Sequence, residues 1–538
     1  MSSYPADGGG VPCVLFEDEH LLAVNKPAGI STHAPAPLAP HGLYEWLRHR
    51  HPRWANLAII HRLDKETSGV ILFSKSALAN RSLTEQFTRR VVRKKYVFLT
   101  ADPGPGASLR HVSFLARAGN RHISRPSGPE RERAITQFAT IHSAAGRTEV
   151  SAEPLTGRTH QIRVHAAELG FPILGDELYG GRPAPRVFLH SAELQIRHPA
   201  TSEQMVFYAP PDFAKDPRLA LREALIDPGE TTAFRICHGG GDGFPGIFAD
   251  KLGDYLLIAS AQNLSSGQVQ AAREWQSAFG SRAVYHKLLQ RLPGLAEGPE
   301  ASPKFLFGEP APEGFFVREN SARFGLSFQE GYSIGLFFDQ RENRRRFLVG
   351  YIAPGFDLFW QERRTCEVLN TFSYTCGFSV CAALAGARTT SLDLSKKHLE
   401  WGKRNFAANG LDPAAHDFIF GDVFEWLKRL QKKSRRFGVI ILDPPTFSRS
   451  KSSGRFQVEK DLGKLIHAAL PLLEPHGVIL AASNSAQQTS EAFLEEIRQA
   501  VDRAGRTVSE LAFIPQPPDF PATREERAYF KSVFLRAG

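Results

Sequence analysis

Short apolar runs separated by turn residues open the chain. "CVLFEDEHLLAVNKPAG", "GVILFSK" and "KKYVFLT" hold strand-length stretches of β-type residues and break at glycine, proline or acidic positions. From Val14 to about Phe213 this pattern predicts a mixed α+β domain, with residues 1–213 as one unit. The next stretch, "DFAKDPRLALREALIDPGETT" (Asp212 to Thr232), is polar and helix-like and closes on Pro228-Gly229, so residues 214–232 are expected to form a linker. Short strands return around the tight turn "GGGDGFPG" and the helical "QVQAAREWQSAF", predicting a small α+β domain over 233–346. Over 347–538 the runs alternate between strand and helix: "CEVLNTF", "FSVCAALAGA", "TTSLDLS", "KHLEWGKRNFAANG", "HDFIFGD", "VFEWLKRLQKK", "FGVIILDPP" and "GKLIHAALPLL". Alternation of this kind implies right-handed crossovers and a doubly wound, Rossmann-like α/β sheet with ligands at the carboxyl ends of its strands.

Composition adds bounds to this multidomain picture. A chain of 538 residues exceeds what one apolar core supports. Lys and Arg number 66 against 56 Asp and Glu, and the pI is near 9.3, a bias that suits a polyanionic partner. The five cysteines, Cys13, Cys237, Cys366, Cys376 and Cys381, show no metal-ligand spacing, and their odd number argues against a disulfide framework. A reducing, cytoplasmic setting without a metal is therefore expected. The opening "MSSYPADGGGVP" lacks a basic-then-apolar leader pattern, and no apolar run is long enough for a bilayer, so no membrane partner is expected.

The first chemical signal is "IIHRLDKETSGVILFSK". It sets Asp64 after an apolar strand, between Arg62 and Lys65 and ahead of the turn residues Thr67, Ser68 and Gly69. An isolated aspartate here would cap a turn. Flanked by cations, it is also placed to stay ionised, as a nucleophile or base must. With "VNKPAGISTH", "RKKY" and "LTGRTHQIRVHAAELGFPILGDELYG", the segment from residue 14 to 213 resembles the RluA-type RNA pseudouridine synthases. The resemblance implies that Asp64 is the catalytic aspartate acting on the ribosyl carbon of a uridine, whose freed uracil rejoins through C5. It further implies that Tyr96 stacks on the base and helps remove the C5 proton, that Arg163 pairs with the catalytic carboxylate, and that Arg62 helps hold the flipped state. The basic run "TRRVVRKKY" would then track phosphates, although such runs are also ordinary solvated faces. The chain opens directly into this domain, so no extra RNA-binding module is expected ahead of it.

The second signal lies in the C-terminal alternation. "VLNTFSYTCGFSV" stands where a dinucleotide enzyme carries its glycine fingerprint, and it offers only Gly377 for close backbone approach, which argues against NAD. Asp393 ends the second strand, placed for ribose hydroxyls, and Asp422 follows the third, in reach of an adenine amino group. Either acid alone would pass as a turn or cap residue. Together with "DPPTFSRSK" and "FQVEKDLGKLI", these segments resemble the class I S-adenosylmethionine-dependent methyltransferases of large-subunit ribosomal RNA, the RlmI/RlmK type, from about Ala233 onward. The resemblance implies that Tyr374, Thr375 and Gly377 hold the methionine portion of S-adenosyl-L-methionine, Asp393 its ribose and Asp422 its adenine, with Asp339, Gln340 and Arg341 lining the pocket.

The atom methylated turns on a missing thiol. Cytosine C5 methylation, as in the RlmI branch, needs a cysteine to add to C6 and make C5 nucleophilic. The segment after the fifth strand, where that branch has its cysteine, reads "LAASNSAQQT", and no cysteine follows Cys381. Cys376 and Cys381 read as small packed residues. Nitrogen methylation needs only a positioned lone pair, and "DPPTFSRSK" is closest to the RlmK branch, which methylates a guanine ring nitrogen. Asp443 and the Pro444 carbonyl, in the rigid turn with Pro445, would then accept hydrogen bonds from a flipped base stacked on Phe447. The expectation is a bifunctional enzyme acting on RNA, the large-subunit rRNA above all, with guanine N7 as the methylated atom. The alternatives are cytosine C5 or guanine N2 methylation, one half serving only as an RNA-binding module, and a non-RNA substrate for the methyltransferase.

Overall fold

An eleven-stranded mixed sheet underlies the first part of the computed structural model, which describes residues 10–289, 301–359, 366–450, 454–523 and 525–538. Third from one edge lies Ser68–Ser74, the "SGVILFS" run, buried at every position as a strand covered on both faces must be. Leu189–Arg197 pairs with it in parallel, and every other pairing in the sheet is antiparallel. Gly69 is the residue that permits the parallel contact. At φ 111°, its absent β-carbon would lie 2.2 Å from the Ser191 carbonyl oxygen. The same Ser191 faces Tyr96 across the ladder to Arg93–Thr100, so the "TSG" turn after Asp64 and the tyrosine strand meet at one point of the sheet.

The expected linker is an integrated helix. Pro217–Leu225 starts on an Asp216 cap with Pro217 in its first turn, and buries Leu221, Arg222 and Leu225. Arg222 forms a bidentate pair with Asp242 at 2.8 and 2.6 Å and donates to the Asp519 carbonyl at 2.7 Å. One apolar cluster runs from Leu22, Trp46, Trp54 and Phe73 through Leu221 and Leu225 to Ile236, Leu256 and Trp275. Ile236 and Leu256 belong to a five-stranded sheet of Ala233–His238, Ile247–Leu252, Tyr255–Ser260, Ala283–Leu288 and Lys304–Gly308, paired in sequence order, and Trp275 to the helix Ser266–Ala278. A separate ribbon, Phe315–Glu319 with Ala322–Leu326, follows.

"RENRRRF" departs from the solvated turn that its charge suggests. It forms the helix Arg341–Val349, in which Arg341 through Leu348 are all buried. Three of the guanidiniums, those of Arg341, Arg344 and Arg345, have partners distant in sequence, and Arg346 has local ones. Arg341 pairs with Asp519 at 2.8 and 2.6 Å, Arg344 with Glu319 at 2.6 and 2.8 Å, and Arg346 donates to the Glu342 and Ile352 carbonyls. Arg345 donates to the Arg50 and His49 carbonyls of the first part, and Glu342 lies 3.4 Å from Arg50.

The C-terminal sheet has seven strands in the spatial order Asp417–Phe420, Arg388–Asp393, Glu367–Thr371, Phe437–Leu442, Leu473–Ser483, Lys531–Ala537, Val508–Pro515. The first five run parallel, as the βα alternation requires. The last two add an antiparallel edge. Among the described residues no helix is long and apolar enough to cross a membrane.

Candidate active sites

Asp64 sits on the loop between Ala58–Ile59 and Ser68–Ser74, and that loop is pinned on both sides of it. Thr32 accepts from the Leu63 N–H at 3.1 Å and donates to the Leu63 carbonyl at 2.9 Å. Beyond Asp64, the Lys65 carbonyl accepts from the Gly29 N–H at 2.9 Å and from the Lys26 ammonium at 3.3 Å. Lys26, fully buried, also donates to the Pro27 and Ile30 carbonyls at 3.0 and 2.7 Å, and burial pushes its ammonium down to about 7. The "VNKPAGISTH" segment therefore holds the backbone that carries the aspartate.

Arg163 reaches Asp64 from the helix Gln161–Glu168, its Nη1 3.4 Å from Oδ2. Its Nε and Nη2 form a bidentate pair with Asp176 at 2.7 and 2.8 Å. Burial opposes the guanidinium's charge, but Asp176 first and Asp64 next raise it above the ordinary arginine value. Tyr96 packs against the apolar clusters on either side. Burial pushes its phenol up to about 12, against the pull of the Ser191 hydroxyl. Arg62 is exposed. Asp64, Arg163 and Tyr96 thus converge from three elements. The sequence reading passed over Asp176, His160 and Tyr179 as individual residues, although all three stand inside segments quoted for the resemblance; only the tertiary contacts single them out.

The second site gathers at the carboxyl ends of the parallel strands. After Glu367–Thr371 the chain turns through Phe372, Tyr374 and Cys376, all with positive φ of 52°, 48° and 62°. Such backbone in non-glycine residues costs on the order of 1–3 kcal/mol each and persists where the surroundings enforce it. Here the enforcement is Asp393. Its carboxylate accepts from the Tyr374 N–H at 2.8 Å and the Ser395 N–H at 2.9 Å, tying the loop to the next strand end. Thr375 donates to the Gly335 carbonyl at 2.6 Å, and a β-carbon on Gly377 would crowd Leu336 and Arg344 at 3.2 and 3.3 Å. Asp422 caps the helix Val423–Lys432 and, with Phe372, Leu394, Val423, Phe424 and Phe456, lines a shallow groove at these strand ends.

Asp443 ends the fourth parallel strand. Burial pushes its carboxyl up to about 7, and the neighbouring Asp339 adds to this, while the Gln340 amide and Arg344 pull it down. Burial also lifts Asp339, which accepts from the Tyr529 hydroxyl at 2.9 Å. The structure brings Asp339 and Gln340 to Asp443. Arg341 is turned away to Asp519, because a buried guanidinium requires a carboxylate. Pro444 is buried and Pro445 exposed; Phe447 is 37% exposed on the hairpin Phe447–Ser450 and Gly454–Gln457, with the Arg455 guanidinium 4.9 Å above its ring. Lys451 of that motif lies outside the described residues. The loop after Leu473–Ser483 presents Asn484, which accepts from Thr446 at 2.5 Å beside the prolines. All five cysteines are buried and unbridged, and burial pushes Cys13, Cys237, Cys366 and Cys376 up to about 12. Among the described residues no cluster of His, Cys, Asp and Glu could hold a metal.

A pinned aspartate beside an arginine and a tyrosine, and a row of acids at the carboxyl ends of a parallel sheet, place two separate groups of chemistry-bearing side chains in one chain. Comparison with known proteins gives each centre its family. Residues 235–536 match the family model of S-adenosylmethionine-dependent methyltransferases and residues 20–168 that of RNA pseudouridylate synthases. The chain belongs to the S-adenosylmethionine-dependent methyltransferase family, uses S-adenosylmethionine, and carries an RNA pseudouridylate synthase domain ahead of the methyltransferase. A ribosomal RNA large subunit methyltransferase of Deinococcus radiodurans is 34% identical over 336 residues, covering 60% of this chain and 77% of that protein. Ribosomal RNA large subunit methyltransferase I of Klebsiella pneumoniae is 32% identical over 321 residues, covering 56% and 74%. The structure of human RNA pseudouridylate synthase domain containing 1 is 27% identical, with a TM-score of 0.32, and covers 38% of this chain and 85% of that one.

Proposed function

We propose that the chain modifies large-subunit ribosomal RNA twice, isomerising a uridine at Asp64 and methylating a guanine at N7 beside Asp443. The names of its relatives support the ribosomal substrate. In the first centre Asp64 addresses the ribosyl carbon, Arg163 holds its carboxylate, and Tyr96 meets the face of the extruded base. A phenol raised to about 12 supports stacking over service as the base for the C5 proton.

In the second centre the residues read the base. Asp443 and the Pro444 carbonyl accept from the N1–H and N2–H edge of guanine, and Phe447 stacks on its ring. S-adenosylmethionine, when bound, supplies the electrophilic methyl group. The N7 lone pair forms the new bond, no proton leaves the base, and the positive charge that the ring acquires is met by Asp443 and Asp339, whose ionised forms a neighbouring cation favours. The observation that carries nitrogen over carbon is the thiol inventory: every cysteine is buried, none follows Cys381, and the loop beside the prolines presents Asn484. The second reading, cytosine C5, is favoured by relatives bearing the name methyltransferase I.

Mass-spectrometric mapping of rRNA from cells with and without the gene tests the proposal. The expected result is one missing pseudouridine and one missing 7-methylguanine, and a missing 5-methylcytosine would overturn the nitrogen assignment. Asp64→Asn should abolish the pseudouridine and leave the methyl mark; loss of both would contradict separate centres.

A further inference from the structure

Beside Asp64 stands a histidine that the reading of the first centre leaves unused. His160 caps the helix Gln161–Glu168 with φ 55°, a left-handed conformation uncommon for a residue with a β-carbon. This conformation turns its ring toward the site, with Nε2 3.8 Å from Asp64 Oδ2. Its Nδ1 lies 2.7 Å from the Tyr179 hydroxyl. Tyr179 in turn accepts from the His122 backbone N–H at 2.9 Å, and its ring is covered by the Arg163 guanidinium at 5.2 Å.

This chain of contacts favours one tautomer. The Tyr179 oxygen accepts from the His122 N–H, which leaves its own hydrogen available to His160 Nδ1. A nitrogen that accepts carries no proton, so the imidazole proton sits on Nε2, the nitrogen facing Asp64. Burial, with Arg163 and His122 nearby, holds the ring below the usual histidine range against the pull of Asp64, so it is neutral at pH 7. Arg163 Nη1 and His160 Nε2 address the same carboxylate oxygen, at 3.4 and 3.8 Å, and Oδ1 accepts from neither. The arginine contact is a long hydrogen bond and the histidine contact an electrostatic approach just beyond hydrogen-bond reach, which a small movement of the carboxylate would close.

We infer that His160 is a positioning residue for Asp64, set by Tyr179 in the Nε2–H tautomer, so that Oδ2 is held by two donors and Oδ1 is presented to the ribosyl carbon. Tyr179 is therefore not a wall of the pocket but the group that decides which imidazole nitrogen carries the proton. The inference rests on the first centre's being active, which wild-type pseudouridine formation reports independently.

Steady-state pseudouridine formation by the full chain tests it, with methylation by the same preparations as the control for folding. His160→Leu should lower kcat by about 10- to 100-fold with little change in KM, the cost of a misaligned carboxylate. His160→Gln places an amide N–H near the Nε2 position and should recover most of that loss. Tyr179→Phe should lower kcat in the wild-type background and have no further effect in His160→Gln, whose amide has no tautomer to choose. Equal losses for Leu and Gln, or a Tyr179→Phe penalty that persists in the Gln background, would overturn the assignment. Should the His160 variants fail to fold, Tyr179→Phe alone decides, since unchanged kcat in that variant also overturns it. A wild-type enzyme forming no pseudouridine would instead refute the reading of the first centre.

Discussion

Asp443→Asn should make the protein more stable as the pH rises. In the folded chain burial lifts this carboxyl from its ordinary 3.8 to about 7, with Asp339 adding to the effect. The sign follows from linkage. A group whose folded value lies above its unfolded one contributes stability that is fully present below the unfolded value and is lost as the pH rises through the folded one. For Asp443 the loss begins near pH 4 and is complete above pH 7. A displacement of this size is worth about 4 kcal/mol in all, of which about 2–3 kcal/mol develops between pH 5 and pH 8. Asparagine cannot ionise, so the stability difference between variant and wild type should shift in the variant's favour by that amount over the interval, while contributions common to both proteins cancel. Urea denaturation at pH 5 and pH 8 measures it, followed on the transition that S-adenosylmethionine shifts, which identifies the domain concerned. The variant should also lose methylation. A stability difference that stays constant between the two pH values would refute the near-neutral carboxyl.

Two further outcomes follow from buried ion pairs. Asp176→Asn leaves the Arg163 guanidinium without its bidentate partner, at a site where the aspartate is 1% exposed. The expected cost is about 3–5 kcal/mol, with pseudouridine formation lowered more than methylation; a melting curve and parallel assays measure both, and equal loss of the two activities would count against a role specific to the first centre. Glu342→Ala removes the carboxylate that Arg50 and Arg345 share at 3.4 and 3.1 Å. It should cost a similar 3–5 kcal/mol. Burial opposes that charge, but Arg50, then Arg345 and Arg341, hold the carboxyl well below its ordinary range. Its contribution is present above the unfolded value and is lost as the pH falls, so the gap between the two melting temperatures should narrow in acid. A gap that widens instead would refute the assignment.

What the sequence discloses depends on how local each signal is. The strand ends of Asp393, Asp422 and Asp443 are legible because an acid after a short apolar run is a contiguous pattern, and the structure places these three at or just past strand ends, whereas Asp64 stands on a loop five residues beyond the short strand Ala58–Ile59. Asp176 is not legible in the same way, since its meaning lies in a guanidinium on another element. "RENRRRF" misleads for a related reason. A charge run shows its own sign but not its counterions, and here these are Asp519, Glu319 and the carbonyls of His49 and Arg50. The helix at Pro217–Leu225 was legible as a helix, while its burial was not, because Arg222 is made tolerable in the interior by Asp242.

The buried arginine helix bears on how one chain performs two reactions. Asp339 and Gln340, which face Asp443, immediately precede Arg341–Val349, and within the next turn and a half Glu342 and Arg345 grip Arg50 and His49 of the pseudouridine synthase domain. Tyr351, just past the helix, donates to the Arg48 carbonyl at 2.8 Å. A flexible tether would let the centres visit distant nucleotides independently, raising local concentration without fixing geometry. Buried guanidiniums bound to backbone carbonyls do the opposite, because any relative movement would strip charged groups of partners in a place water does not reach. With the connecting helix Pro217–Leu225 packed into the same apolar cluster, the chain offers RNA one fixed surface. Two target nucleotides must therefore either lie at a spacing that this surface matches in a single encounter, or be modified in separate encounters with release between them; with the joint intact, bending of the enzyme does not bridge a mismatch.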